Sequence, residues 1–156
     1  MGNRAVFALA TIQILLFFLV ANFDRYFFML HFLASLIYLM ILLLLFYGFE
    51  DWAYVIGFVT PLLWIVSALL SGTLGLGLRA LGRVLTLQPV ANPIDALSAL
   101  LLVVGLLLMV ASAWAFRQEV WGRPGAVRTA AWATVLVWIY YAALIAVMFR
   151  LSRPQG

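Results

Sequence analysis

Residues 26–49 read YFFMLHFLASLIYLMILLLLFYGF, a run of 24 residues without Asp, Glu, Lys or Arg. A helix rises about 1.5 Å per residue and the hydrocarbon layer of a bilayer is roughly 30 Å thick, so a helix of this length can cross the layer. Because the run exceeds the thickness of the layer, we expect the helix to tilt. The stretch therefore predicts a transmembrane helix.

The composition of the whole chain follows that stretch. Hydrophobic residues make up 68% of the 156 residues and charged residues 9%, whereas soluble domains are about half apolar and about a quarter charged. The longest polar interval, residues 72–93, is too short to form a globular core of its own. Residues 1–156 are therefore predicted to form a single transmembrane domain.

Four further apolar segments are candidate spans, namely residues 5–21, 53–71, 94–116 and 129–149. Together with residues 26–49 they make five. The predicted fold is an all-α integral membrane protein, a bundle of five transmembrane helices. Since the first segment is short, a four-span arrangement is the alternative. Pro61 predicts a kink in the third span. Asn92 as N-cap, Pro93 at the first helical position and Asp95 in the first turn predict the start of the fourth.

A short amphipathic helix is predicted over residues 76–87, between the third and fourth spans. Leu78, Leu81 and Leu85 share one face of such a helix. Arg79 and Arg83, spaced i, i+4, share another. This pattern favours a helix in the membrane interface, with its leucines toward the acyl chains and its two arginines on lipid headgroup phosphates.

All nine basic residues are arginine, and they are dispersed over the loops and tails. A nucleic-acid surface needs a clustered basic patch, so nucleic acid is not an expected partner. Five spans place four arginines on one side and five on the other; four spans place three and six. Both counts favour a cytoplasmic C-terminus. The near balance also fits a protein inserted in both orientations, and the absence of lysine suggests a prokaryotic cell (inner) membrane.

His31 is the only histidine. Ala34, Ser35 and Tyr38 share its helical face, and an axial ligand to a chlorophyll or haem is one interpretation. Chlorophyll needs one such ligand, whereas a six-coordinate haem needs two and no second histidine exists. The favoured interpretation is a polar contact between helices, so no cofactor is predicted. With no cysteine, no metal constellation and no nucleophile motif, we expect neither a metal site nor catalytic activity.

Small residues recur at i, i+4 spacing in the third, fourth and fifth spans, a pattern that lets helices approach closely. The predicted packing positions are Ala68 and Gly72, Ala111 and Ala115, and Ala142 and Ala146. Trp64 and Trp138 lie deep in their spans, where they are candidates for packing on a partner. Glu50 and Asp51 are predicted to be a solvated helix end.

The sequence thus favours a non-catalytic integral membrane subunit that packs into a larger complex, in contact with lipid and other membrane subunits. Two alternatives stay open. The first is a small homo-oligomeric transporter or channel, which suits the balanced arginines. The second is a tetrapyrrole-binding subunit of an energy-transducing complex, in which His31 is the ligand.

Overall fold

The computed structural model describes residues 2–24, 27–70, 72–89 and 92–151, and every regular element among them is an α-helix. Five of the six described helices are long and apolar enough to cross a membrane. The predicted all-helical class and the five helices of spanning length are therefore confirmed. In chain order the helices are α1 (Gly2–Phe23), α2 (Phe28–Phe46), α3 (Glu50–Leu70), α4 (Thr73–Leu85), α5 (Pro93–Glu119) and α6 (Ala126–Leu151).

The helix ends differ from the predicted spans where polar residues extend a helix. Glu50 and Asp51 form the first turn of α3, because a carboxylate is favourable beside the amide end of a helix. The predicted span limits at Tyr26 and Ser71 lie outside the described residues. The start of α5 agrees with the predicted cap, since the Asn92 side chain accepts a hydrogen bond from the amide of Ile94 at 3.0 Å.

The central helix is α3, which packs on each of the other five helices. α1 packs on α2 and α5, and α4 packs on α3 and α5. α6 packs on α3 and meets α2, but within the described residues no Cα atoms of α5 and α6 come within 8 Å of each other. Two helices that are joined by a short turn are therefore held apart.

Glycines set the close approach of the central helices. A Cβ at Gly57 of α3 would lie 2.5 Å from Ser112 Oγ of α5, and a Cβ at Gly105 would lie 3.2 Å from Gln13 Nε2 and 3.5 Å from the Cβ of Pro61. α3 continues through Pro61, which has no amide hydrogen and leaves the carbonyl of Gly57 without its usual helical partner. At this level the backbones of α3 and α5 approach with almost no side chain between them.

The alternation of helix directions defines two ends of the molecule. The Asn3 end holds the start of α1, the turn 47–49 and the turn 120–125. The opposite end, which we call the α4 end, holds Asp24 and α4. In α4, Gly77 and Ala80 are buried, whereas Leu78 and Leu85 are exposed. The face of α4 toward the other helices is thus its small-residue face.

The contact between Gly57 and Ser112 gives a first prediction. The substitution Gly57→Ala forces a Cβ against Ser112 Oγ, and we expect it to lower the free energy of unfolding by about 1–3 kcal/mol, the usual cost of overpacking. Ser112→Ala removes the clashing atom, so the double variant Gly57→Ala/Ser112→Ala should recover most of the loss. Thermal unfolding in a mild detergent measures both.

Gly82→Ala is the matched control, because no described atom beyond its own stretch of helix lies within 4 Å of the position its Cβ would take, and alanine favours a helix over glycine. Its unfolding midpoint should be unchanged or higher. A Gly57→Ala protein as stable as the parent would contradict the close approach of α3 and α5.

Candidate functional site

Three helices meet in a polar network at the Asn3 end. Tyr54 of α3 is fully buried, and its hydroxyl lies 2.5 Å from Glu119 Oε2 at the end of α5. The same hydroxyl contacts Asn3 Oδ1 of α1, and Asn3 Nδ2 donates to Glu50 Oε1 of α3. Because a phenol has a single proton, Tyr54 donates to one of its two acceptors at a time. The network fixes the ends of α1, α3 and α5 relative to each other.

An apolar cleft of about 630 Å³ lies beside this network, between α5 and α6, with α3 behind it. Arg117 and Trp121 lie at its rim, near the end of α5, and Tyr54 borders it on the side of the network. The indole of Trp121 packs edge-on against the Phe116 ring, with 6.3 Å between the ring centroids. The apolar walls are formed by Val55, Phe58, Val59, Ala113, Phe116 and Ala130.

A second group of polar side chains lies in the middle of the helices. Gln13 Nε2 donates to the carbonyl of Leu101 at 3.3 Å, and the Tyr141 hydroxyl donates to the carbonyl of Thr60 at 3.4 Å. Four buried polar atoms have no hydrogen-bond partner among the described residues, and each such atom costs about 1–3 kcal/mol. They are Gln13 Oε1, the Tyr38 hydroxyl, Thr60 Oγ1 and Ser112 Oγ.

His31 lies at the α4 end, in the first turn of α2, and is paired with an acid. Its Nε2 atom is 3.2 Å from Asp24 Oδ2, and about a fifth of each side chain is exposed. The ring of Phe17 lies on the same side, 6.4 Å between centroids. Ligation of a tetrapyrrole through Nε2 would have to break the contact with Asp24, so this geometry favours the polar contact as the role of His31.

The predicted packing residues fall into different environments. Ala115 is fully buried, and a Cβ added at Gly2 of α1 would lie 2.8 Å from its Cβ. Ala68 is also buried. Gly72 lies beyond the end of α3 with φ +74°, and no described atom lies within 4 Å of the position its Cβ would occupy. It therefore forms a turn into α4 and is not part of a helix face.

The remaining predicted residues lie on the surface of the described structure. Ala142 and Ala146 are exposed on α6, and Arg79 and Arg83 are exposed on α4, while Ala111 is half-buried on α5. None of them belongs to the polar network or to the cleft. Their proposed roles in lipid contact and helix packing stay predictions.

The comparison of this chain with protein-family models, curated proteins and solved structures gives no match. A functional assignment therefore depends on the geometry of the chain itself. Within the described residues no three His, Cys, Asp or Glu side chains are grouped as a metal site would need. What the arrangement offers is a stable helical scaffold, an apolar cleft and one loosely covered helix, α6.

Sequence reasoning did not find the network of Asn3, Tyr54 and Glu119. Asn3 and Glu119 lie outside the predicted spans, and the partners of Tyr54 are 51 and 65 residues away in the chain. The one available signal was the placement of polar residues at helix ends that meet on the same side of the membrane. That signal does not tell which end residues become partners.

The second prediction concerns the Tyr54 hydroxyl. Tyr54→Phe keeps the ring and removes the hydroxyl that bonds Glu119, so a half-buried carboxylate loses its donor. We expect the free energy of unfolding to fall by about 1–3 kcal/mol. Tyr47→Phe is the control, because Tyr47 is 69% exposed. Chemical unfolding in mixed micelles compares the two, and equal midpoints would show that the network adds no stability.

Proposed function

We propose that this protein is a non-catalytic subunit of a larger membrane complex, inserted as a five-helix bundle in a prokaryotic inner membrane with the α4 end in the cytoplasm. In this proposal a transmembrane helix of another subunit packs along α6. The observation that supports the proposal is how little of α6 is buried against the other helices of this chain. Only 11% of the most apolar stretch of α6 is buried, against 50% of the corresponding stretch of α3.

The outward face of α6 has the side chains of a helix-packing surface. Trp138, Ala142 and Ala146 are spaced by four residues and so share one face, and all three are exposed. Trp138 is 58% exposed at the middle of the helix, whereas lipid-facing tryptophans are concentrated at the two membrane interfaces. Tryptophan is also a frequent anchor of protein interfaces, and the two alanines allow a second helix to approach closely.

The opposite face of α6 shows how the helix is held in the monomer. Ala133 and Val137 are fully buried, and the hydroxyls of Tyr140 and Tyr141 reach carbonyls of α2 and α3. α6 is therefore fixed along one side and leaves a continuous apolar strip along the other. A partner helix would bury that strip without displacing any contact of the monomer.

A second candidate function is transport by a homo-oligomer. The observation that favours it is the set of partnerless polar atoms in the middle of α1, α2, α3 and α5, together with Pro61 in α3. Transporters place polar groups and interrupted helices near the middle of the membrane. No charged residue lies in this group, so we rank this candidate below the first.

The third prediction tests the α6 surface by cross-linking. Because the chain contains no cysteine, Ala142→Cys introduces a unique thiol on the outward face. In native membranes a short thiol-reactive cross-linker should join it to a foreign membrane subunit, and native mass spectrometry of the uncross-linked parent should show that subunit in a fixed ratio. Leu107→Cys, on an exposed part of α5, is the control and should give no such product.

The variant Ala142→Leu/Ala146→Leu fills the proposed contact and should abolish the fixed-ratio partner while the protein itself stays folded. Products that contain only this chain would support the transporter candidate instead. The subunit proposal would be refuted by a monomer that carries no partner in any membrane extract, together with equal yields of cross-linked product from Ala142→Cys and Leu107→Cys.

A further inference from the structure

The apolar cleft between α5 and α6 has a lining that suits an acyl chain. On α5 the lining runs from Ser112 to Arg117, a rise of roughly 8 Å at about 1.5 Å per residue, and Trp121 extends it from the turn 120–125. The cleft holds about 630 Å³, and its walls are almost entirely apolar side chains, which is the environment that an acyl chain needs.

The charge at the rim selects the headgroup. Arg117 borders the cleft, and Arg123 follows in the turn 120–125, two residues after the rim residue Trp121. In the described part of the chain no carboxylate oxygen lies within 4.0 Å of either guanidinium. The contact between a basic and an acidic side chain that is found within this distance joins His31 and Asp24 at the opposite end. Arg117 at the rim and Arg123 in the adjoining turn thus have no acidic partner within that distance.

Two of the acids at the same end are hydrogen-bonded within the polar network. Glu50 accepts a hydrogen bond from Asn3, and Glu119 accepts one from Tyr54, so both carboxylates already have partners within the network. Asp51 is half-buried at the start of α3. The positive charge at the rim therefore remains available for an anion from outside the chain.

We propose that the cleft is a binding site for one anionic phospholipid, whose acyl chain lies between α5 and α6 against α3 and whose phosphate contacts Arg117 and Arg123. Guanidinium groups bind phosphate by charge-assisted, often bidentate hydrogen bonds. The exposed Trp121 at the rim suits the headgroup level, where tryptophan is enriched. The site uses Ala130 and Thr134 on α6, which lie eight and four residues before Trp138 and so on the same helical face. The lipid would therefore adjoin the proposed partner surface on the side of the Asn3 end.

The fourth prediction is a lipid preference measured on the whole protein. Delipidated protein in neutral detergent is titrated with phosphatidylglycerol or with phosphatidylcholine of the same acyl chains, and bound lipid is counted by native mass spectrometry. We expect one phosphatidylglycerol to be retained and to bind more tightly than phosphatidylcholine. An arginine near a membrane surface contributes about 1 kcal/mol toward an anionic lipid, or about fivefold in affinity, so each of the two arginines should account for about that factor.

Three variants locate the site. Arg117→Gln should lower phosphatidylglycerol affinity about fivefold and leave phosphatidylcholine binding unchanged, with Arg123→Gln adding a similar loss. Arg128→Gln is the matched control, because Arg128 lies at the same end in the first turn of α6 and belongs neither to the cleft lining nor to the turn 120–125. Ala113→Phe fills the cleft and should abolish retention of either lipid, and Ala130→Leu repeats the test from α6 in case the first variant is unstable.

Equal binding of the two phospholipids, or an equal loss with Arg128→Gln and Arg117→Gln, would overturn the proposed headgroup contact. Retention that survives both Ala113→Phe and Ala130→Leu would overturn the place of the acyl chain. Millimolar inorganic phosphate should not displace the bound lipid; displacement by phosphate alone would show an anion site that needs no acyl chain, and would also overturn the proposal.

Discussion

The close approach of α3 and α5 at Gly57 is the contact on which the other helices depend. Lipid chains are as apolar as leucine, so helices in a bilayer are held together by van der Waals packing and hydrogen bonds and not by exclusion of water. Gly57 and Gly105 let the two backbones approach closely, with Ser112 next to Gly57 and with Gln13 and Pro61 next to Gly105. Because this contact fixes α3 at the centre, every other helix can pack on α3.

A central α3 also explains where the polar side chains lie. Tyr54 and Thr60 face other helices. The Tyr54 hydroxyl lies between acceptors on α1 and α5, and the carbonyl of Thr60 accepts a hydrogen bond from Tyr141 of α6. Hydrogen bonds near the start of α3, at Tyr54, and near its middle, at Thr60, therefore hold α3 in place. Removing one donor leaves a buried acceptor unpaired, which makes these few contacts more consequential than their number suggests.

What the sequence could predict follows from the range of the interactions involved. The helices depend on the length of apolar runs, and the start of α5 depends on Asn92 and Pro93, so both are local and were predictable. His31 and Asp24 are only seven positions apart in the chain, so their contact is short-range as well. The bonds of Tyr54 to Asn3 and Glu119 join residues that are 51 and 65 positions apart, and no local pattern selects them among the polar residues at helix ends.

The position of α6 follows from the turn that precedes it. Gly122 and Gly125 adopt φ of +97° and +91°, a conformation that glycine takes without strain, and α6 then leaves α5 and joins α3. One geometric cause thus opens the cleft beside Ala130 and Thr134 and leaves Trp138 exposed farther along the same face of α6. A lipid in the cleft would supply the contact that α5 does not make and would hold α6 in position. A lipid that holds α6 in the orientation that a partner helix prefers would raise the affinity for that partner. By linkage, the partner would raise the affinity for the lipid by the same factor.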